Sequence, residues 1–379
     1  YDSGVHSDIM NEQRENRRGI RVAVVFGGRN SEHAVSIMGA GSVIKTLNES
    51  GYDVIPVGIT TDGRWVLASE NQSYEIEGTK LPQVEHTGAE LALPPGGSEL
   101  IVLEHGRFPR LRDVDVVFPL LHGPFGEDGT IQGLLEMAGM RYIGSGVLAS
   151  AVGMDKAYMK ALLAHAGLPI GEYLVVRDRD WRRDKARVLK EAQELGWPVF
   201  VKPARAGSSQ GISKANDLDE LERAVEFARE HDPKVLIEAA ITGREVECAV
   251  LEQLGDEPPK ASLPGEILVH GEHEFFDFEA KYYPDQMSLQ VPADIPEEAA
   301  QRVRELAVRA FEALGCEGLA RVDFFYRPDG SLILNEINTL PGFTALSVAP
   351  QLWAASGLPY PELLDHLIRL ALERPVGLR

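Results

Sequence analysis

The segment RVDFFYRPDGSLILNEIN (Arg321–Asn338) concentrates residues able to do chemistry. Two apolar runs flank Pro328-Asp329-Gly330, where proline presets φ and glycine supplies the left-handed position of a tight turn. Side chains alternate along a strand, so Arg321 and Asp323 share one face, as do Glu336 and Asn338. A four-residue loop, Pro328–Ser331, pairs Arg327 with Leu332 and sets Asp323 opposite Glu336 and Arg321 opposite Asn338. A loop shorter by one residue sets Asn335 there instead. Two carboxylates and a carboxamide without thiol or imidazole make a hard-oxygen set suited to Mg²⁺ or Mn²⁺. The plainer reading is the polar outer face of an edge hairpin.

Basic and glycine-rich residues elsewhere give that hairpin company. Lys202 closes the strand VFVKPA and precedes AGSSQG (Ala206–Gly211), a loop whose backbone N–H groups and hydroxyls, Ser208 and Ser209 among them, can cover phosphates. The spacing is not that of a Walker loop. Lys156 follows Asp155 at the start of a helix, where an anion meets both an ammonium and a helix N-terminus. A surface lysine is usually solvated and a Gly/Ser loop is usually a turn, so the constellation carries the reading, not any single member. Nearer the N-terminus, Gly27-Gly28 follow the run IRVAVVF, and Glu32 and His33 open a helix. Glu32 there is already favourable to the helix dipole without any further role. His122 ends an apolar strand, at the edge where open α/β sheets bind ligands.

The elements needed to position these residues are legible. Strand, glycine turn, helix and strand over Ile20–Ile59 spell a βαβ unit, joined by a further strand at Val114–Leu121. Residues 70–112 read as a variable excursion rich in Gly, Pro and Glu. Helices are expected at Gly129–Met140, Met154–Ala166, Lys185–Leu195 and Glu297–Leu314, and strands at Val199–Ala204, Val235–Glu238 and Glu245–Leu251. The aromatic-rich stretch 264–292 is longer than an ordinary connection and reads as a lid. Residues 1–19, mixed charged and polar without periodicity, are expected to be a loose tail.

Composition bounds the possibilities. The chain has 379 residues, enough for two or three domains, with 44% hydrophobic and 25% charged residues. Lys+Arg total 38 against Asp+Glu 58, a net charge of −20 that disfavours nucleic acid and anionic membranes as partners. Two cysteines, Cys248 and Cys316, are too few for a disulfide framework or thiolate cluster. No apolar run reaches the length of a membrane span. The expectation is a cytoplasmic protein.

FGGRNSEHAVS, LHGPFGEDGTIQG, GSGVLASAVGMDK, VKPARAGSSQGISK, LIEAAITGREVECAV, FFDFEAKYY, RVDFF and LNEINTLPGFTALS occur in the order found in D-alanine–D-alanine ligases. The chain thus resembles, over about residues 20–370, that family of ATP-grasp carboxylate–amine ligases. The resemblance implies an α/β, three-domain ATP-grasp fold, with a Rossmann-like N-terminal domain at 20–146, a central domain at 147–240 and a C-terminal domain at 241–379, and ATP clasped between the last two. It assigns Lys156 and Lys202 to the ATP phosphates, and Glu238, Ile241 and Glu245 to adenine and ribose. Asp323, Glu336 and Asn338 match ligands of two Mg²⁺ (or Mn²⁺) ions, in the register of the four-residue loop. Ser208 and Ser209 lie over the phosphates, and Lys281 and Tyr282 on the lid. Glu32, Ser208 and Tyr282 match a hydrogen-bonded triad. Glu32 holds the first D-alanine's ammonium, with His122 nearby, and Ser347 and Val348 meet the second substrate's carboxylate. Arg321 and the Gly342 backbone stabilise the tetrahedral intermediate. The family also implies peptidoglycan-precursor synthesis and a homodimer. One departure is Ala239, where many members carry a charge; with adenine read through the backbone, little should change.

The nearest rival is a D-alanine–D-lactate depsipeptide ligase, whose lid lacks the Lys281-Tyr282 pair present here. A non-catalytic nucleotide-binding regulator would not need Arg321, and a nicotinamide oxidoreductase would need more than Gly27-Gly28.

Overall fold

The computed structural model describes residues 17, 19–69, 71–86, 89–94, 99–103, 110–207, 210–269 and 287–377. Ser208, Ser209, Lys281 and Tyr282 lie outside them, as does most of the expected lid. The chain forms two compact units, each built from separated stretches. Tyr1–Val147, Glu252–Pro258 and Leu340–Arg379 form the first, and Leu148–Leu251 with Pro259–Thr339 the second.

In the first unit, β1 (Arg21–Gly27) pairs in parallel with β2 (Asp53–Ile59) on one side and β7 (Val116–Pro119) on the other. The short β3 (Trp65–Leu67) adds antiparallel at the edge, giving the order β3-β2-β1-β7. Helix α1 (His33–Glu49) is the crossover from β1 to β2. Val22 to Phe26 are all buried, as a strand covered on both faces requires. The excursion expected at 70–112 instead holds a small antiparallel sheet, β4 (Leu91–Ala92), β5 (Glu99–Val102) and β6 (Arg110–Asp113). Leu91, Leu100 and Val102 join the core of this unit. These strands are too short, and too broken by Gly and Pro, to show a period in the sequence.

Gly27 closes β1 with φ of +91°, and the Gly28 N–H donates to Ile59 O at 2.8 Å. A Cβ on Gly27 would stand 2.3 Å from Ile59 O, so only glycine lets the chain turn over the sheet end there. After β7 comes α2 (Thr130–Ala138).

In the second unit, the helix expected at Met154–Ala166 is α4 (Lys156–His165), and a further helix, α3 (Val147–Met154), precedes it. Asp155 leaves the helical region (φ −89°, ψ 96°), and its side chain accepts from the Ala157 and Tyr158 N–H groups, starting a new helix at Lys156. Then follow β8 (Tyr173–Arg177), α5 (Asp178–Arg183), α6 (Lys185–Gln193), β9 (Val199–Pro203), β10 (Ser213–Ala215), α7 (Leu218–His231) and β11 (Lys234–Ala239). The four strands form an antiparallel sheet in the order β10-β9-β11-β8. Trp181, Val188, Leu221 and Val225 of the helices pack on Val201 and Ile237.

A second antiparallel sheet is built from β12 (Arg244–Leu251), β13 (Lys260–Ala261), β14 (Gly265–Val269), β15 (Met287–Gln290), β16 (Leu319–Tyr326) and β17 (Leu332–Asn338). Helix α8 (Glu297–Leu314) falls where its pattern predicts, and Val303, Leu306 and Ala310 pack with Val246, Cys248, Val322 and Phe324. With one face of β12 and β16 so committed, Glu245, Glu247, Arg321 and Asp323 share the other.

The β16–β17 hairpin settles the register, and corrects the turn. The loop is the shorter one: Arg327 N–H donates to Ser331 O and Gly330 N–H to Arg327 O, both at 2.9 Å, and Tyr326 faces Leu332. That register alone would bring Asn335 opposite Asp323. A β-bulge intervenes, so Phe324 pairs Leu334 while Asp323 pairs Glu336 and Arg321 pairs Asn338. Asn335 is the extra residue. The expected pairing is present, by a route the loop length does not predict.

The chain then returns to the first unit as α9 (Val348–Ala355) and α10 (Tyr360–Glu373). Tyr52 Oη donates to Asp365 at 2.6 Å, and Arg17, within the expected tail, pairs with the same carboxylate at 2.7 Å. The Phe118 and Phe343 rings meet edge to face at 5.2 Å.

Gly27 and Gly330 separate two penalties of replacing a left-handed glycine. At Gly330 (φ +81°) an added methyl group would meet open space, whereas at Gly27 it would not. Gly330→Ala should cost about 1 kcal/mol from the backbone alone, and Gly27→Ala about 3 kcal/mol or more because strand β2 must move as well. Thermal melts of both variants check this; equal losses would contradict it.

Candidate active site

In the second unit, Lys156 is the first residue of α4, and its backbone N–H donates to Ala204 O at 3.0 Å. Its Nζ donates to Ala206 O at 3.0 Å and lies 3.7 Å from Glu336 Oε2. The lysine thus joins the start of the glycine-rich loop to the hairpin. Asp155 is held in turn by an ion pair with Lys234, whose ammonium lies 4.6 Å from the Tyr158 ring centroid.

Lys202 stands on β9 opposite Leu236 of β11, so Glu238 is its diagonal neighbour on the same face. Nζ of Lys202 is 2.6 Å from Glu238 Oε2. The other carboxylate oxygen, Oε1, is 3.1 Å from Nζ of Lys160, one turn beyond Lys156 on α4. That contact is an ion pair rather than an aligned hydrogen bond, for Oε1 has no hydrogen-bond partner among the described residues. Burial alone would raise the Glu238 carboxyl, but Lys202 and Lys160 draw it down to about 2. Burial likewise opposes the charge on Lys202, and Glu238 with Glu336 and Glu245 more than offsets it, raising that ammonium. Lys160 is the exception: burial, with repulsion from Lys202, leaves it lowered despite Glu238.

On the second sheet, Arg321 is clamped. Its Nε and Nη2 donate to Asp323 Oδ1 and Oδ2 at 2.8 and 2.7 Å, and Nε lies 2.9 Å from Glu247 Oε2. Glu247 sits directly across from Asp323 on β12, and Glu245 lies two residues along the same face. Burial opposes the Arg321 charge, but Asp323 and Glu247 outweigh it and hold the guanidinium protonated. Asp323 and Glu336, paired across the hairpin, point to one face with Arg321 and Asn338. Among the described residues no three His, Cys, Asp or Glu side chains cluster closely enough to hold a metal. The expected donor set has two carboxylates, Asp323 and Glu336, completed by the Asn338 carboxamide. Ile241, half-buried, follows β11; its Cδ1 would lie 2.7 Å from a Cβ on Gly171. Ala239 is held through its backbone, its N–H donating to Glu172 O at 3.0 Å.

In the first unit, Asn30 joins two loops. Its Oδ1 accepts from Glu32 N–H at 2.9 Å, and its Nδ2 donates to His122 O and Pro124 O at 2.8 and 2.9 Å. Glu32 precedes α1 without capping it, is 6% exposed, and packs so close that a Cβ on Gly123 would stand 2.4 Å from its Oε2. His122 is buried, with Nδ1 3.6 Å from Glu127 Oε1 and Nε2 unpartnered among the described residues. Burial disfavours the imidazolium, yet Glu127, and then Glu32, raise its pKa above the ordinary value. His33 is locked differently: Val84 N–H donates to Nε2 at 3.2 Å, so Nδ1 carries the hydrogen facing Gly28 O at 2.8 Å. Ser347 precedes α9 without capping it; its Oγ accepts from Thr344 N–H at 3.0 Å and would lie 3.1 Å from a Cβ on Gly342. The first amides of α9, beginning at Val348, therefore have no side-chain cap.

In the second unit Lys156 meets Glu336 and Lys202 meets Glu238, and in the first Asn30 links Glu32 to the His122 loop; Ser208, Ser209, Lys281 and Tyr282 lie outside the described residues. Sequence reasoning missed Lys160, Glu247, Asn30 and Glu127. Two had a signal in their spacing: Lys160 repeats Lys156 at helical period, and Glu247 repeats Glu245 at strand period.

Comparison with known proteins decides what these clusters belong to. Family models described as the D-ala D-ala ligase N-terminus and C-terminus match residues 21–145 and 162–369. The chain belongs to the D-alanine–D-alanine ligase family. A relative in Pseudarthrobacter chlorophenolicus, named D-alanine–D-alanine ligase, is 57% identical over 99% of this chain and 100% of its own. One of the same name in Streptomyces coelicolor is 52% identical, covering 95% of each. Among solved structures, the D-alanine–D-alanine ligase of Coxiella burnetii is similar with a TM-score of 0.78 at 33% identity, over 94% of this chain and 95% of that one. VanG D-Ala:D-Ser ligase of Enterococcus faecalis also gives 0.78, at 36% identity over 93% and 100%. The ATP-grasp fold expected of the family is therefore the fold of this chain.

The raised His122 has a testable sign. A histidine whose folded pKa exceeds its unfolded value stabilises fully below the unfolded value and loses that contribution as pH rises through the folded one. Its NMR midpoint should lie above 6.5 and fall in Glu127→Gln, and that variant should lose more stability at pH 5.5 than at pH 9. A midpoint at or below 6.5 in the native protein would contradict this.

Proposed function

We propose that this chain joins two molecules of D-alanine with hydrolysis of ATP, releasing ADP and phosphate, and so supplies a peptidoglycan precursor. The observation that carries this is the meeting of Lys156 with Glu336 of the hairpin, 3.7 Å apart, with the charge of Glu336 acting on Lys202 as well. It occurs in a chain 57% identical, nearly end to end, to a relative named for this activity.

In this reading a carboxylate oxygen of the first D-alanine attacks the γ-phosphorus of ATP, ADP departs, and D-alanyl phosphate forms. Lys156 and Lys202 neutralise the phosphates, with Ser208 and Ser209 over them, while Glu238, Ile241 and Glu245 hold adenine and ribose. Glu32 binds the ammonium of that first substrate beside His122. The second D-alanine, its carboxylate held by Ser347 and the open amides at Val348, loses an ammonium proton and attacks the acyl carbon. Arg321 and the Gly342 N–H face the oxyanion until phosphate leaves. Tyr282 and Lys281 close over the site and keep water from the acyl phosphate, with Tyr282 tied through Ser208 to Glu32.

Asp323, Glu336 and Asn338 fit two Mg²⁺ or Mn²⁺ ions by donor type, hard oxygens without sulfur or imidazole, and by their shared face. Bound there, the metal would supply positive charge against the transferring phosphoryl oxygens. We read the two antiparallel sheets of the second unit as the central and C-terminal parts that clasp the nucleotide. A homodimer in the cytoplasm completes the proposal; among the described residues no helix is long and apolar enough to cross a membrane.

Phosphate release from ATP should require D-alanine. In mixtures of equal D-alanine, D-lactate and D-serine at pH 7, mass spectrometry should find D-alanyl-D-alanine as the main product. Predominant depsipeptide or D-alanyl-D-serine would reassign the second substrate. Lys156→Ala and Lys202→Ala should each raise the KM for ATP at least about tenfold, the worth of one charged hydrogen bond. Both should remain folded by circular dichroism, and unchanged ATP use in both would remove them from the site.

A further inference from the structure

Lys202 is committed to Glu238 in this structure, at 2.6 Å, yet the proposed reaction needs its charge on the ATP phosphates. A buried carboxylate that loses its one counter-ion is left strongly unfavourable. Glu238 does not depend on one counter-ion, because Lys160 stands 3.1 Å from its other oxygen. Lys160 is itself buried, 4% exposed at its side chain, and its ammonium lies 5.9 Å from the Tyr173 ring centroid. It also donates to the backbone carbonyl of Asn335 at 3.3 Å, the bulge residue that brings Glu336 opposite Asp323. Its neighbour Met159 accepts from Ile337 N–H through Sδ at 3.4 Å, so α4 grips β17 on both sides of Glu336.

We propose that Lys160 is a positioning residue of the nucleotide site: a fixed counter-ion that keeps Glu238 neutralised when Lys202 turns to phosphate, and a clamp on the Asn335 bulge. The inference rests on the reading of Lys202 as a phosphate-binding residue. Lys160 need touch neither phosphate nor metal. It makes the second arrangement of Lys202 accessible by preserving one ion pair on Glu238 in both arrangements.

The test is a double-mutant cycle on the full-length protein, read by ATP affinity in calorimetry and by KM for each substrate. Lys160→Met should weaken ATP binding and raise its KM about tenfold, the scale of one charged contact. The KM for D-alanine should stay within about twofold, and Lys160→Arg should recover most of the loss. Once Glu238→Gln has removed the charge to be balanced, adding Lys160→Met should cost less than about threefold more. Effects that multiply, or ATP affinity unchanged in Lys160→Met, would overturn the proposal. Should Lys160→Met alone fail to fold, a folded Lys160→Met/Glu238→Gln protein supports it, and an unfolded one overturns it. Native protein that binds ATP but releases no phosphate with D-alanine would refute the proposed function instead, and the binding cycle would still judge Lys160.

Discussion

Charge held in a buried place must be matched, and that constraint organises the second unit. Arg321, Lys202, Lys160, Glu238, Glu247 and Asp323 all lose most of their water on folding, and each is compensated by an opposite charge within about hydrogen-bond distance. Because the matching uses both oxygens of Glu238 and both of Asp323, it also fixes side-chain directions. Arg321, gripped by Asp323 and Glu247 together, is held in one direction, and Lys202 is held by its ion pair with Glu238.

The first unit relies less on matched buried charge. Glu32 and His122 lie in loops at the end of its parallel sheet, and hydrogen bonds between the Asn30 side chain and the backbone join those loops. Asn30 ties one loop to the other, and glycines at positions 27 and 123 permit approaches that a methyl group would block. Ser347 folds back onto Thr344 instead of capping α9. The second unit fixes its groups by several matched charges, and this one by an amide side chain, close-packed glycines and the single pairing of His122 with Glu127.

Much of this was legible in the sequence because period and punctuation report local structure directly. The βαβ start, α8 and the strands carrying Lys202 and Glu238 follow from alternation, helical spacing and bounding Gly or Pro. The hairpin shows the limit. Pro328-Asp329-Gly330 announces a turn but not its length, and no local signal marks Asn335 as a bulge; the slip is absorbed because Leu334 and Ile337 must both face the core. The helix start at Lys156, after Asp155, was by contrast readable from the sequence. Lys160 and Glu247 carried only spacing, and their partners come from other strands and helices, which a single sequence does not pair. Ser208, Ser209, Lys281 and Tyr282 lie outside the described residues, and their roles rest on the resemblance alone.

The interleaving of the two units bears on how the chain is made. Helix α10 packs against α1, and Tyr52 bonds to Asp365, so the parallel sheet of the first unit lacks part of its cover until Tyr360–Glu373 has emerged. At about 5–20 residues per second, the stretch from Val147 to Leu340 takes on the order of ten to forty seconds to translate. During that interval the ribosome-bound N-terminal sheet has its α10 side incompletely covered. The second unit, by contrast, emerges almost in one piece and can close first. Removing the C-terminal helices would therefore strip the N-terminal sheet rather than trim a peripheral extension.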